Sequence, residues 1–69
     1  MKQFRVFGER FCTYCGGKML YINFTNNQPL GLCDCGNTDW CDNKTEDDVK
    51  KQYGSRLRPS RIKILEMDD

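Results

Sequence analysis

The sequence Phe11-Cys12-Thr13-Tyr14-Cys15-Gly16-Gly17-Lys18 has a counterpart later in the chain, Cys33-Asp34-Cys35-Gly36-Asn37. Each segment places two thiols close together and follows the second with glycine, which suits a turn that requires positive φ. Such a turn, a cysteine knuckle, directs backbone N–H groups towards its sulfurs. Two knuckles can bring four thiolates into the tetrahedron that Zn²⁺ prefers. The sequence therefore predicts a zinc site whose ligands are Cys12, Cys15, Cys33 and Cys35.

The length and composition of the chain favour a fold that depends on this site. The 69 residues are 38% hydrophobic and 30% charged, and the mean hydropathy is −0.77. A chain this short seldom builds a core worth more than ~3–5 kcal/mol without a staple. A structural Zn²⁺ ion contributes an apparent ~10–16 kcal/mol in zinc-finger peptides. We therefore expect a single domain over residues 1–69 that holds one structural Zn²⁺ ion.

Five cysteines raise the alternative of a disulfide framework, and two observations argue against it. The count is odd. Met1-Lys2-Gln3-Phe4-Arg5 leads into no apolar run of the kind that forms a signal peptide. No stretch approaches the ~20 apolar residues of a membrane span either. We therefore expect metal-binding thiols in the reducing cytoplasm and no membrane association.

The segments around the knuckles predict a small α+β fold held together by metal. Alternating and β-branched residues predict strands. The expected elements are strands at 2–7, 18–25 and 30–32, a turn at 8–10 and a reversal at 26–29. Two knuckles and a β-hairpin are the plan of a zinc ribbon, whose core we expect to occupy about residues 2–41. Residues 37–44, at the end of this core and just beyond it, are predicted to form a polar loop.

The C-terminal third predicts a short helix followed by a final strand. Thr45 suits the N-cap of a helix at about 46–53, because its hydroxyl can accept from the backbone N–H three residues later. Val49 and Tyr53, four residues apart, are expected to face inwards, and Gly54 suits a left-handed cap. Beyond the helix we expect a basic arm and strand over 54–66. The strand itself is predicted at 61–65, paired with 3–7.

The fifth cysteine leaves the ligand set open. Cys33 and Cys35 have one residue between them, where a ribbon more often has two. Cys41 is the alternative ligand, in place of either. If it does not bind the metal, Cys41 is expected to be a small buried side chain near Trp40, since free cysteines are among the most buried residues.

Two segments carry a resemblance to known proteins. Phe11-Cys12-Thr13-Tyr14-Cys15-Gly16-Gly17-Lys18-Met19-Leu20 looks like the opening of many ribbons. Cys35-Gly36-Asn37-Thr38-Asp39-Trp40-Cys41 is similar to the second knuckle of transcription elongation factor ribbons and small RNA polymerase subunits. The resemblance covers about residues 11–41 and departs from the pattern in the one-residue spacing of the second knuckle. Those elongation factors carry an adjacent acidic pair at the hairpin tip, whereas residues 25–29 contain no acid. The resemblance therefore implies a ribbon of the transcription or translation machinery without transcript cleavage.

A run of positive charge follows the start of the helix. Residues 50–63 contain six cations and no acid, although the whole chain has a net charge of only +1. The run can contact phosphates, grip an acidic protein surface, or simply be solvated and offset by the flanking acids. The candidate contact residues are Lys50, Lys51, Arg56, Arg58, Arg61 and Lys63.

Aromatic residues offer a second candidate surface. A set of exposed rings can stack the bases of a single strand, but in so small a chain the same rings are expected to supply the core. The set comprises Tyr14, Tyr21, Phe24 and Trp40. Tyr14 lies between two predicted ligands at a knuckle tip, where side chains usually face solvent, and it is therefore the best single contact candidate.

The residue types present do not predict an enzyme. The chain has no histidine, and it shows neither a phosphate-binding glycine loop nor a carboxylate pair with an evident cleft. We therefore expect no small-molecule substrate. The leading hypothesis is an adaptor or modulator, of the kind common among small phage and bacterial proteins, that docks on a larger protein of the transcription or nucleic-acid-handling machinery. The alternatives are direct nucleic-acid binding through 50–63 and a structural subunit of a larger assembly.

Overall fold

A computed structural model describes residues 2–23 and 28–67, the side chain of Met67 excepted, and shows a small α+β fold. Five antiparallel strands form one sheet in the order β4-β3-β2-β1-β5. One short helix, α1, precedes the last strand. The elements are β1 (Lys2–Phe11), β2 (Lys18–Asn23), β3 (Pro29–Cys33), β4 (Thr38–Trp40), α1 (Glu46–Tyr53), a 3₁₀ turn (Gly54–Arg56) and β5 (Ile64–Met67).

The first strand is longer than predicted, and the turn expected at 8–10 is wrong. Val6 pairs with Ile22 but Gly8 pairs with Tyr21, so Phe7 is an extra residue that bulges out of the ladder. A bulge bends a strand without ending it. Glycine at position 8 permits a close approach of the chain, because a Cβ there would meet the Leu57 Cγ at 2.9 Å.

Because Phe7 bulges out of the ladder, β1 contributes side chains to two apolar clusters, one on each face of the sheet. On one face, Phe7 joins a cluster of buried residues that includes Met19, Tyr21 and Val49. The helix covers this face, and Tyr53 and Leu57 pack against the same cluster. The second cluster draws its residues from strands alone, namely Phe4, Val6, Ile22 and Leu30 with Leu20, Leu32 and Leu65 around them. The central strand β2 is therefore packed on both faces.

The helix begins as the sequence predicts. The Thr45 hydroxyl accepts from the Asp48 N–H, and the Asp48 side chain accepts from the Thr45 N–H, which together form a capping box. Val49 is fully buried. Gly54 has the expected positive φ, 57°, but its ψ of −130° is not that of a left-handed cap. The chain continues from Gly54 into the 3₁₀ turn.

Two further predictions need correction. Residues 38–40 lie in the predicted polar loop but form the edge strand β4, because Leu30, Gly31 and Leu32 extend the ladder to Trp40, Asp39 and Thr38. The last strand is Ile64–Met67, which begins three residues and ends two residues later than predicted, and it pairs with Lys2–Arg5. Strand β2 ends at Asn23, whereas residues 24–27 of the predicted strand and reversal lie outside the described residues. Within the described ranges, no helix is long and apolar enough to cross a membrane.

Candidate metal centre

The first knuckle connects β1 to β2 through a tightly hydrogen-bonded turn. The Cys12 N–H donates to the Gly17 carbonyl with an N···O distance of 2.8 Å, and the Gly16 N–H donates back to the Cys12 carbonyl at 3.0 Å. Gly16 has a φ of 76°. Side chains with a Cβ disfavour this conformation, so the glycine that follows Cys15 is required by the turn.

The second knuckle connects β3 to β4 and repeats this turn with one residue fewer. The Cys33 N–H donates to the Asn37 carbonyl at 3.1 Å, and the Gly36 N–H donates to the Cys33 carbonyl at 2.9 Å. Gly36 has a φ of 94°. Each of these bonds spans one residue less than its counterpart in the first knuckle. The shorter turn therefore matches the one-residue spacing between Cys33 and Cys35.

The sheet brings the two knuckles to the same end of the molecule. Phe11 pairs with Lys18 at the base of the first knuckle, and Met19 pairs with Cys33 at the base of the second. The antiparallel register of β1, β2 and β3 therefore sets the two cysteine pairs opposite each other. Strand pairing, rather than the knuckles themselves, fixes this approach.

The four sulfurs lie close enough to hold a metal ion. The Sγ atoms of Cys12, Cys15, Cys33 and Cys35 all lie within 4.8 Å of one another. Sγ···Sγ distances are 3.7 Å for Cys12 and Cys35 and 3.4 Å for Cys15 and Cys33. A tetrahedron with Zn–S bonds of about 2.3 Å has sulfurs about 3.8 Å apart. A disulfide would need about 2.05 Å, and all five cysteines are free.

The surroundings of Cys12 stabilise a thiolate. Backbone N–H groups of Cys15 and Tyr14 donate to its sulfur and lower the pKa of the Cys12 thiol to about 6. The Asn37 amide also lies within reach, with its Nδ2 3.9 Å from that sulfur. Cys12 is fully buried, so these donors replace the water that an ionised sulfur would otherwise need.

The sulfur of Cys33 has the opposite tendency. The backbone N–H of Cys35 lowers the pKa of Cys33, but burial and the three neighbouring thiols outweigh that effect and raise it to about 12. One ionised sulfur thus makes the ionisation of its neighbour unfavourable. Four thiolates can share this small volume only when a cation compensates their charge.

Cys41 lies outside the four-sulfur cluster. Its side chain is buried, and its Sγ lies 3.7 Å from the carbonyl oxygen of Asp39. Burial raises the pKa of the Cys41 thiol. Cys41 belongs instead to the apolar cluster that contains Met19 and Val49.

The predicted contact residues are dispersed over the molecule. Tyr14 is 80% exposed and lines a shallow depression with Cys15, Cys35 and Asn37. Tyr21 is buried in the core, Trp40 is 62% exposed, and Phe24 lies outside the described residues. The aromatic set is therefore divided between core and surface.

Two of the six cations in 50–63 come together. Arg56 and Arg58 line one groove beside the end of β1. The Lys50 Nζ lies 6.0 Å from the centre of the Phe7 ring. The remaining members, Lys51, Arg61 and Lys63, are exposed. Two of the six cations therefore line the groove, and the other four lie outside it.

Sequence reasoning missed the other residues of that groove. Arg10, Phe11, Thr13 and Lys18 line it from the first knuckle and the ends of β1 and β2. Their only sequence signal is proximity to Cys12 and Cys15, which the knuckle pattern assigns to the metal site. Their meeting with residues 55–58 depends on tertiary structure.

A hydrogen-bonded network that the sequence did not suggest fastens the helix to the sheet. Tyr21 on β2 donates to the Asp39 Oδ2 at 2.7 Å, and Tyr53 on α1 donates to the same oxygen. Arg10 completes the network, with its Nε 3.0 Å from the Tyr21 hydroxyl. Burial and the bond to Asp39 raise the pKa of Tyr53, so the hydroxyl remains a donor.

Comparisons with protein-family models, curated proteins and solved structures find no match to this chain. Its function is therefore inferred from its own geometry.

Proposed function

We propose that the metal is Zn²⁺ and that the chain is a zinc ribbon in which the ion is structural. The cluster of four sulfurs, with separations near those of a tetrahedral thiolate site, supports this assignment. Four thiolates fill the coordination sphere and leave no position for a substrate or an activated water. The ion thus fastens β1 and β2 to β3 and β4 and takes no part in catalysis.

On this metal-bound scaffold, the chain acts as a non-enzymatic adaptor that docks on a larger protein. The observation that carries this proposal is the position of Trp40. It pairs with Leu30, which pairs with Ile22 and then Val6, in one row across four strands. This row lies on the face opposite the helix. Trp40 nevertheless exposes 62% of its surface, and exposed tryptophans are enriched among residues that dominate binding.

The face around Trp40 defines the chemistry of the partner. Leu20 and Leu32, on the same face, are only partly buried, so a docked surface would cover an apolar area. The partner that fits this face is a protein with an apolar patch. The resemblance in residues 35–41 favours a partner in the transcription or nucleic-acid-handling machinery.

The adaptor function is tested by affinity capture of the metal-loaded chain from a nuclease-treated extract. Trp40→Ser should lose the captured protein. Ile64→Ser is the matched control, because Ile64 is also apolar and 49% exposed but pairs with Arg5, whose side chain bonds to Glu46 on the helix face. Retention by Trp40→Ser, or equal loss by both variants, would refute docking through this face. A dimer disrupted by Trp40→Ser would show that a second copy is the partner.

A further inference from the structure

The groove beside the end of β1 is lined by an excess of positive charge. It lies between β1, the first knuckle and the 3₁₀ turn and has a volume of about 540 Å³. Four cations line it, Arg10, Lys18, Arg56 and Arg58, against a single acid, Glu9. The Glu9 Oε1 lies 4.0 Å from the Lys18 Nζ, so its charge is directed at one of the four. The other three are arginines.

Tyr53 holds two of these arginines in place. The guanidinium carbon of Arg10 lies 4.4 Å from the centre of the Tyr53 ring, and the Arg10 Nε donates to the Tyr21 hydroxyl. The Arg56 Nε donates to the Tyr53 carbonyl at 3.4 Å. The hydrogen bonds from Arg10 and Arg56 both use Nε. The terminal N–H groups of each guanidinium therefore remain available to donate to an oxyanion. The third arginine, Arg58, is fixed through its backbone.

The backbone of Arg58 pairs with β1 through an isolated β-bridge. Its N–H and carbonyl both bond to Glu9, with N···O distances of 2.9 and 2.8 Å. Its side chain is exposed and lines the groove. The bridge to Glu9 therefore fixes the backbone from which this side chain extends into the groove.

An exposed aromatic ring adjoins the cations. Phe11 is 69% exposed at the end of β1 and lines the same groove. Thr13 and Ser55 add hydroxyl donors on its two sides. A flat apolar ring next to guanidinium forks suits a ligand that alternates planar bases with phosphates. A carboxylate-rich peptide would use the cations but would have no comparable use for the ring.

We propose that this groove binds single-stranded nucleic acid, with a phosphate held by Arg56 and Arg58 and a base stacked on Phe11. This site is separate from the docking face proposed above, because Trp40 lies on β4 at the opposite edge of the sheet from the groove. A nucleotide fits the available volume, since pockets for small ligands run from about 300 to 1,000 Å³. The proposal concerns phosphate and base recognition, with no sequence preference implied.

Fluorescence anisotropy of the metal-loaded chain with a labelled oligothymidylate tests the site. Phe11→Ala should raise Kd by roughly five- to 150-fold, the loss of one stacked base. Arg58→Ala should raise Kd and flatten the slope of log K against log salt by about 0.7, the value for one phosphate on a single strand. Lys51→Ala is the control, because Lys51 is an exposed cation outside the groove, and its Kd should be unchanged.

Circular dichroism and metal content establish that each variant is folded, and Trp40→Ser should bind the oligonucleotide normally if the two surfaces are independent. An oligouridylate in a parallel titration distinguishes RNA from DNA as the preferred strand. Equal losses in Arg58→Ala and Lys51→Ala would overturn the proposal, since they would show diffuse electrostatic attraction. Binding of oligoglutamate but not of either oligonucleotide would also overturn it, as would no binding at low salt.

Discussion

Glu9 and Arg58 exchange two backbone hydrogen bonds, with N···O distances of 2.8 and 2.9 Å. This pair attaches the segment after the helix to the outer edge of β1. Farther along the same edge, the Val6 N–H donates to the Lys63 carbonyl, and β5 then pairs with Lys2–Arg5. The segment predicted to be a basic arm is therefore hydrogen-bonded to the edge of β1 at separate points along its length.

The Glu9–Arg58 pair predicts a difference between two substitutions at one position. Arg58→Pro removes the N–H that donates to Glu9, and the unpaired carbonyl should reduce the free energy of unfolding by about 1–3 kcal/mol. Arg58→Ala keeps both backbone bonds and should stay within about 0.5 kcal/mol of the parent. Urea unfolding of the metal-loaded protein measures both. Equal effects would show that the pair contributes little.

Metal removal should unfold the protein. The metal ion joins the two knuckles through their four sulfurs, which repel one another as thiolates when no ion is bound. The two apolar clusters are small, and we expect that they cannot hold the fold without the ion. Native mass spectrometry should find one Zn²⁺ per chain, and chelation should abolish the near-ultraviolet circular dichroism of the buried Tyr21. A chain that keeps this signal after complete metal removal would contradict the structural role of the ion.

Individual cysteine variants should separate ligands from Cys41. Replacement by serine of any of the four clustered cysteines should weaken metal binding severely, because each supplies one of four ligands. Cys41→Ala should keep one metal ion per chain and lose only packing. Cobalt substitution provides the readout, since the visible spectrum reports the number of thiolate ligands. Metal loss from Cys41→Ala together with retention in Cys33→Ser would show that the second ligand pair includes Cys41.

The Asp39 carboxylate accepts hydrogen bonds from Tyr21 on the sheet and Tyr53 on the helix. We expect this shared acceptor to make a measurable contribution to stability. Tyr53→Phe removes one donor to that oxygen and should lower the free energy of unfolding by about 1.5–3 kcal/mol, the usual range for a hydrogen bond to a charged group. Tyr14→Phe is the control, since Tyr14 is 80% exposed. Chemical denaturation compares the two. An equal loss in both variants would argue against the network.

The capping box predicts an acid-dependent contribution to stability. The Thr45 backbone N–H, followed by its side chain, lowers the pKa of Asp48. A carboxyl whose pKa is lower in the folded state stabilises the fold at pH values above its unfolded pKa of about 3.9. This contribution is lost as the pH falls through the pKa of the folded state. The stability difference between the parent and Asp48→Ala should therefore narrow in acid.

Asp47→Ala controls for general loss of charge, because Asp47 is in the same helical turn but not in the capping box. Asp48→Ala and Asp47→Ala should lose metal similarly in acid. The difference between their free energies of unfolding therefore reports the contribution of the capping box. If the difference in free energy of unfolding between the parent and Asp48→Ala stays constant as the pH falls, the Asp48 carboxylate does not act through its charge.

The parts predicted from sequence are those whose interactions are local. Both knuckles close through bonds that span at most five residues, and the Thr45–Asp48 box spans three. Glycine at positions 16 and 36 indicates positive φ without any knowledge of the remaining fold. Short-range geometry of this kind leaves a direct signature in residue type and spacing.

The parts that were missed depend on contacts between distant segments. The turn expected at 8–10 gave way to a bulge because β1 is paired on both edges, which no local pattern in 2–11 reveals. Strand β4 was hidden because its three residues, Thr38–Trp40, include a single apolar side chain, which is too few to show an alternating pattern. The groove was missed because Arg10 and Arg56 meet through Tyr53, which lies far from the first knuckle in sequence.

The pairing of β1 with β5 also sets an order of events during synthesis. Gln3 and Glu66, which face each other across these strands, are 63 positions apart. All four clustered cysteines precede β5 in the chain and none lies on it, so the ion can be bound while β5 is still unpaired. Until β5 arrives, the outer edge of β1 stays open, and open edges recruit foreign strands. We expect a nascent chain to be loaded with metal early and to remain prone to aggregation until its last strand is made.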